Sequence, residues 1–296
     1  MDRLDPTADG STLWACGRGV DINLERSDLS HSNGEVQIYQ VTDLADLQLV
    51  AMLSKEVWGE GGSISGPEMA VHLYFGGVIL LAKRGGAPIG FSYSFPAVIE
   101  GETVLWSHET AVVERDSGLG FAMKSLQKKI AKEMGYPAIM WSYDPLQARN
   151  GYFNLSKLNA RVVSYKVNAY GKIEGDLQSP NLPTDRFIVR LDLAREKTEQ
   201  SCDGSPEVLL DDFDGSPVVS PLPWPRVGPY AVAIPNRSVQ GEHLDYELAL
   251  KWITGFRKVV TELFASGMTE VTIWHTPDRP FCGYLFCRPS NWEAGR

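Results

Sequence analysis

Apolar and polar residues alternate over residues 35–41, which predicts a strand. Asp43 then stands at the N-cap of a helix whose apolar positions are Leu44, Leu47, Val50, Ala51, Val57 and Trp58. Pro67 suits the first turn of a second helix carrying Met69, Val71, Leu73, Tyr74 and Phe75, which Gly76 and Gly77 stop. Residues 78–83, 89–97 and 103–113 read as three antiparallel strands joined by turns at 84–88 and 100–102. Gly118 and Gly120 break the chain ahead of a helix over 121–134. Its apolar side is Phe121, Ala122, Leu126, Ile130 and Met134, with Lys124, Lys128, Lys129 and Lys132 opposite. A strand at 138–143, a shorter helix at 147–158 and strands at 162–167 and 186–193 follow.

The flanks have a different texture. Residues 1–34 show neither period and read as a loose leader. Residues 202–229 carry six prolines and the acidic residues Asp211, Asp212 and Asp214, which predicts a connection over 196–229. Beyond it come a strand at 230–234, a helix with Leu244, Leu248, Trp252, Phe256, Val260 and Phe264, and strands at 270–275 and 284–287. The expected organisation is a leader (1–34), a main domain (35–195), a Pro-rich linker (196–229) and a C-terminal α+β extension (230–296). The extension's helix has to bury its apolar face against the core, another tail element or another subunit, so a homodimer stays open.

The 296 residues are 43% apolar and 22% charged, enough to bury a core and far from a disordered composition. A net charge of -9 leaves no broad footprint for a nucleic acid. Apolar runs such as 78–82 are too short for a bilayer, and the N-terminus has no basic-then-apolar pattern, so the expectation is a soluble, cytoplasmic protein away from membranes. Cys16, Cys202, Cys282 and Cys287 are too few and scattered for a disulfide framework, which predicts free thiols. Cys282-x4-Cys287 near His275 exceeds the usual zinc spacing and lacks a fourth ligand, so no metal is expected.

The chemistry concentrates at residues 112–124, a strand end, a Gly-containing turn and a helix start. Gly118 and Gly120 permit a tight turn, and N–H groups at about Phe121 and Ala122 are left without intrahelical acceptors. With the helix dipole and Arg115, such a place attracts a phosphate or pyrophosphate, although a plain capped turn has the same sequence. There is no P-loop pattern, and Gly118-x-Gly120 lacks the third glycine of the dinucleotide fingerprint. The preceding strand also belongs to an antiparallel meander rather than a parallel βαβ unit.

Arg115-x-x-Gly118-x-Gly120 resembles the Arg/Gln-x-x-Gly-x-Gly/Ala signature of the GNAT superfamily of acyl-CoA-dependent N-acyltransferases. The element order over about 36–193 is similar to that superfamily's, and residues 144–158 resemble a subgroup of acetyltransferases with a C-terminal extension. The resemblance implies an α/β (α+β) GNAT fold, a mixed, mostly antiparallel central sheet flanked by helices. It implies acetyl-CoA (coenzyme A) as acyl donor, with the pyrophosphate on Arg115, Ser117, Gly118, Leu119, Gly120, Phe121 and Ala122. Ala111, Val112 and Val113 then form the pantetheine edge, and Asn150 or Asn154 contacts the coenzyme. Lys124 or Lys128 reaches a coenzyme phosphate, unless these lysines only keep the helix wet.

Acyl transfer to an amine needs a base for the nucleophile's proton and an acid for the departing thiolate. His108 and Glu109 lie on the strand before the signature, and regular alternation puts them on opposite faces. The resemblance favours Glu109 as base, usually through water; the plain alternatives are a packing histidine and a solvated carboxylate. The family's tyrosine position holds Leu155, so Tyr152 or Tyr143 has to supply a phenol. A covalent acyl-enzyme is disfavoured: there is no Gly-x-Ser-x-Gly elbow, and neither Cys16 nor Cys202 sits in a nucleophile setting. The implied activity is acetyl transfer to a small-molecule amine. Two alternatives stand beside it: a non-catalytic coenzyme A-binding protein, and an acyltransferase using another donor or a carrier-protein thioester.

Overall fold

The computed structural model describes residues 29–31, 34–113, 118–171, 181–194, 202, 204–221, 224, 228–236, 244–276 and 279–289. These divide into two compact units, the first ending at Ile139 and the second starting at Met140.

In the first unit, β1 (Leu29–His31), β2 (Gly34–Gln40), β3 (Val78–Arg84), β4 (Ala87–Ile99) and β5 (Glu102–Val112) pair antiparallel in that order. β1 lies in the stretch read from sequence as leader. Between β2 and β3 run α1 (Leu44–Trp58) and α2 (Gly66–Tyr74); α3 (Leu119–Glu133) follows β5. The Asp43 carboxylate accepts from the Asp46 N–H, and Ser65 with Glu68 makes a reciprocal capping box, which fixes both helix starts.

Alternation along β4 sends Phe91 and Tyr93 into a core with Leu47, Val50, Leu53 and Met69 of α1 and α2. Ser92 and Ser94 point the other way, to Gln127 of α3. Both faces are therefore covered by helices, and β3 is buried from Val78 to Ala82. Gly90 is required where β5 and α3 close on β4: a Cβ there would sit 2.9 Å from the Ala111 carbonyl oxygen.

In the second unit, β6 (Ala138–Tyr143), β8 (Arg186–Asp192) and β7 (Arg161–Lys166) are neighbours in that order, with β6 crossing the boundary between units. The expected helix at 147–158 is α4 (Ala148–Tyr152) followed by a π-helical turn (Phe153–Lys157). The element order expected from residue 36 to 193 is the order observed.

A second sheet has the order β10-β9-β11-β13-β12, from β9 (Glu207–Phe213), β10 (Ser216–Val219), β11 (Tyr230–Ala233), β12 (Glu270–Thr276) and β13 (Arg279–Cys287). β9 and β10 fall inside the stretch expected to be a connection. Asp214 and Gly215, both at positive φ, turn this hairpin, an Asp-Gly signal that the surrounding prolines obscured. α5 (Tyr246–Ala265) lays Trp252 and Phe256 into the unit's interior. The Trp252 Nε1–H donates to Gly215 O at 3.0 Å, and the Phe256 ring meets Phe187 and Tyr284.

Cys202 and Cys287 are disulfide-bonded, with their Cα atoms 6.0 Å apart, contrary to the expectation of free thiols. The fold brings two cysteines 85 residues apart together, a proximity that spacing alone does not reveal. Among the described residues no group of His, Cys, Asp and Glu forms a metal site, and no helix is long and apolar enough to cross a membrane.

Candidate functional site

The candidate site is built on an irregularity in β5. Its ladder with β4 pairs Tyr93 with Glu109 and Ser94 with Ser107, leaving His108 as an extra residue in a bulge. Ser107 turns toward α3, where Gln127 reaches it, while Glu109 turns toward α1. His108 faces the aromatic side with Glu109, its ring 5.8 Å from both Tyr93 and Phe95. The bulge thus places on one face two side chains that regular alternation assigns to opposite faces.

Glu109 is buried, and its Oε2 accepts a 2.7 Å hydrogen bond from Ser54 Oγ. Ser54 in turn accepts from the Ile64 N–H at 3.2 Å, so its hydroxyl proton is directed at the carboxylate. Burial pushes Glu109 up to about 7, with the Ser54 bond pulling in the opposite direction. His108 keeps one side in solvent, yet the enclosing protein, and then His72, lower its pKa. The Tyr93 hydroxyl hydrogen-bonds His72 Nδ1, and the His72 ring stacks on Phe95 at 4.7 Å. Burial first, then Glu109 and Glu68, raise the Tyr93 pKa. A carboxylate poised near neutrality beside a neutral imidazole can take a proton from an amine directly or through water.

α3 begins at Gly118, which adopts φ 75°, a left-handed conformation open to glycine. No side chain caps this helix, and a Cβ at Gly118 would meet nothing within 4 Å. The Ala122 N–H donates to Gly118 O at 3.1 Å, so the donors lacking an intrahelical acceptor lie earlier than expected, at Gly120 and Phe121. An uncapped helix start of this kind leaves N–H donors and the positive end of the helix dipole for an anion. Arg115 and Ser117 lie outside the described residues.

Other predicted residues have more particular surroundings. Ala111 packs against the α1–α2 core, the Val113 N–H donates to Ile89 O at 2.8 Å, and the Val113 side chain is exposed. Leu119 is buried and Phe121 exposed, so the inward stripe of α3 is Leu119, Met123, Gln127, Ile130 and Ala131, which shares Ile130 with the expected one. Lys124 is also buried, against its placement on a wet face: its Nζ donates to Ser107 Oγ at 2.7 Å and Gln127 Oε1 at 3.2 Å. Desolvation lowers its pKa to about 7. Helical period alone missed it because this part of β4 and β5 presents serines to α3.

Tyr152, Asn150 and Asn154 belong to the second unit. Asn150 and Tyr152 are exposed, with Lys157 Nζ 5.6 Å from the Tyr152 ring centroid. Asn154 is buried and accepts from the Trp141 Nε1–H at 3.0 Å. Tyr143 is buried too, donating to the Tyr284 hydroxyl at 3.4 Å, while Tyr284 donates to Pro145 O at 2.7 Å. Burial raises the Tyr143 pKa, which leaves this phenol a packing group.

No family model and no curated protein matches the sequence. Solved structures similar to about half of the chain include an acetyltransferase of the GNAT family from Desulfovibrio desulfuricans. It has 19% identity over 54% of this chain and 99% of that one, with a TM-score of 0.42. The ribosomal-protein-S18-alanine N-acetyltransferase of Escherichia coli shows 14% identity over 56% and 99%, TM-score 0.42. Arabidopsis thaliana Naa50, bound to a bisubstrate analogue, shows 16% identity over 52% and 97%, TM-score 0.41. At these identities the reaction has to be read from this chain's own residues.

Proposed function

We propose that the chain is an acyl-CoA-dependent N-acyltransferase that moves an acetyl group from acetyl-CoA to the amine of a small molecule by direct attack. The observation that carries the reading is the buried Glu109, held by Ser54 beside His108 on the bulge of β5. Its pKa of about 7 keeps a large fraction ionised at neutral pH while leaving it basic enough to accept a proton. An attacking amine must lose its proton as the new bond to the acyl carbon forms. Glu109 takes that proton directly or through a water, and the His108 imidazole on the same face is the proposed relay. When bound, acetyl-CoA supplies an acyl thioester. The open start of α3, at Gly118, Gly120 and Phe121, is where its diphosphate is proposed to sit. As the acyl carbon–sulfur bond breaks, coenzyme A leaves as its thiolate and takes a proton from water.

A second reading is favoured by Leu155, which stands where the resembling family has a tyrosine: a protein that holds coenzyme A without turnover. Binding is common to both readings, and thermal denaturation tests it. With coenzyme A or acetyl-CoA at about 100 times its dissociation constant, the folded protein gains roughly 2.7 kcal/mol, a rise of several degrees. The rise is expected to vanish in a folded Gly118→Asp/Gly120→Asp variant. Absence of any rise at millimolar ligand contradicts both readings.

A further inference from the structure

The bulge has a second set of partners on the opposite face of β4 and β5. Gln127 Nε2 of α3 lies within hydrogen-bond distance of Ser92 Oγ (3.0 Å), Ser94 Oγ (3.2 Å) and Ser107 Oγ (3.1 Å), and shares its two N–H donors among them. Its Oε1 accepts from Lys124 Nζ, which also donates to Ser107. Ser94 spends its own proton on Val78 O, and Ser92 shares a 3.0 Å bond with Thr110. Gln127 and the three serines it contacts are fully or almost fully buried, in a sheet whose other face is a tightly packed apolar core. Buried amides and hydroxyls survive in such a place only when mutually satisfied, and each removal leaves an unpaired neighbour.

Position gives this network its meaning. Ser94 and Ser107 are the ladder pair on one side of the bulge, and Ser92 and Thr110 flank it on the other. The Gln127 amide therefore touches both sides of the extra residue His108. Without a clamp, a ladder that slips by one residue turns its side chains to the other face. The same helix begins at the uncapped turn proposed for the diphosphate.

We propose that Gln127 and Lys124 are positioning residues for Glu109 and His108: they hold Ser92, Ser94 and Ser107 and so fix the bulge that presents both side chains on the α1 face. The role in turnover rests on the acyltransferase reading; the role in holding Glu109 does not. Neither residue touches the reacting atoms. α3 thereby links the turn proposed for the diphosphate to the strand that carries the base, a connection that helix periodicity alone does not reveal.

The test is a carboxyl 13C NMR titration of Glu109 in the ligand-free protein, wild type against Gln127→Met and Lys124→Met. Among the described residues, the ionisable groups on the face of the pair are Tyr93 on β4 and His72 and Glu68 on α2, unchanged in both variants; Lys124 is itself ionisable and lies on the opposite face, so Gln127→Met, which leaves it in place, is the charge-neutral arm that decides. The expected result is a Glu109 midpoint displaced by about half a unit or more, because a loosened bulge changes burial and the Ser54 bond. kcat is expected to fall about tenfold with the KM for acetyl-CoA nearly unchanged. A purely structural role would lower stability and leave the midpoint where it was. Should Gln127→Met fail to fold, Ser107→Ala takes its place in the same titration. A wild-type midpoint in the folded variants overturns the proposal, whereas absence of acyl transfer by the wild type overturns only the reading of the reaction.

Discussion

Ser54 and Glu109 stand 55 residues apart in the chain and are joined in the interior by a 2.7 Å hydrogen bond from hydroxyl to carboxylate. One lies on the helix that follows β2, the other at the bulge of β5, so the base is anchored from outside its own strand. Removing the Ser54 hydroxyl removes the group that pulls the Glu109 pKa down, and burial then acts alone. Ser54→Ala is expected to move the midpoint of the pH–rate profile upward from about 7, and a profile of kcat/KM checks it.

Glu109→Gln keeps the size of the side chain and abolishes the base. Turnover is expected to fall by about 10²–10⁴-fold. The wild-type rate should rise with pH through about 7 and the residual rate of the variant should lack that step. Stability has its own sign. Because the folded-state pKa lies above the usual 4.5, ionisation destabilises the wild type as pH rises from there to about 7. The difference between the two proteins then levels off, at roughly 3 kcal/mol or less. Melting temperatures across that window read it directly.

Gly118 occupies a left-handed conformation with nothing close to where a Cβ would point. Gly118→Ala therefore meets backbone strain and no clash, and is expected to cost about 1–2 kcal/mol. Its turn still admits an anion, so most of the thermal shift with coenzyme A should survive. Gly118→Asp adds a negative charge and should abolish it. Parallel melts with and without ligand separate the two effects.

In the second unit, Asp185 accepts from Arg257 at 2.7 and 2.9 Å, from the Tyr165 hydroxyl and from the Asn168 N–H. Burial works to raise its pKa, and these donors outweigh it, leaving the carboxyl below the usual range. Arg257→Leu strands a buried charge and is expected to cost about 3–5 kcal/mol. For the wild type, the contribution of Asp185 is complete above the unfolded carboxylate pKa and is lost as pH falls through the folded one. Urea denaturation at pH 7 and at successively lower pH measures both.

Much of the fold was legible because its elements carry strong local signals. Asp43 and Pro67 mark two helix starts, and alternation marks β3 to β5. The hairpin of β9 and β10 was less so, since prolines and acids suggested a connection while Asp214 and Gly215 made the turn. In the site, the glycines announced the start of α3 and the strand announced Glu109. What stayed hidden depends on partners distant in sequence. His108 joins the face of Glu109 because Ser94 pairs with Ser107 and leaves His108 as the extra residue; Lys124 is buried where Ser107 and Gln127 receive it. Cys202 and Cys287 are brought together by the second sheet, whose β13 ends at Cys287.

Acyl transfer dependent on Glu109 is measured by incubating the wild-type protein and Glu109→Gln with acetyl-CoA and a mixed panel of small amines, then quantifying free coenzyme A and acetylated product by mass spectrometry. The wild type is expected to release thiol and acetylated amine in equal amounts, reduced by about a hundredfold or more in the variant. Wild-type protein that binds acetyl-CoA yet yields no acetylated amine above background, or a variant with undiminished rate, would contradict acyl transfer dependent on Glu109.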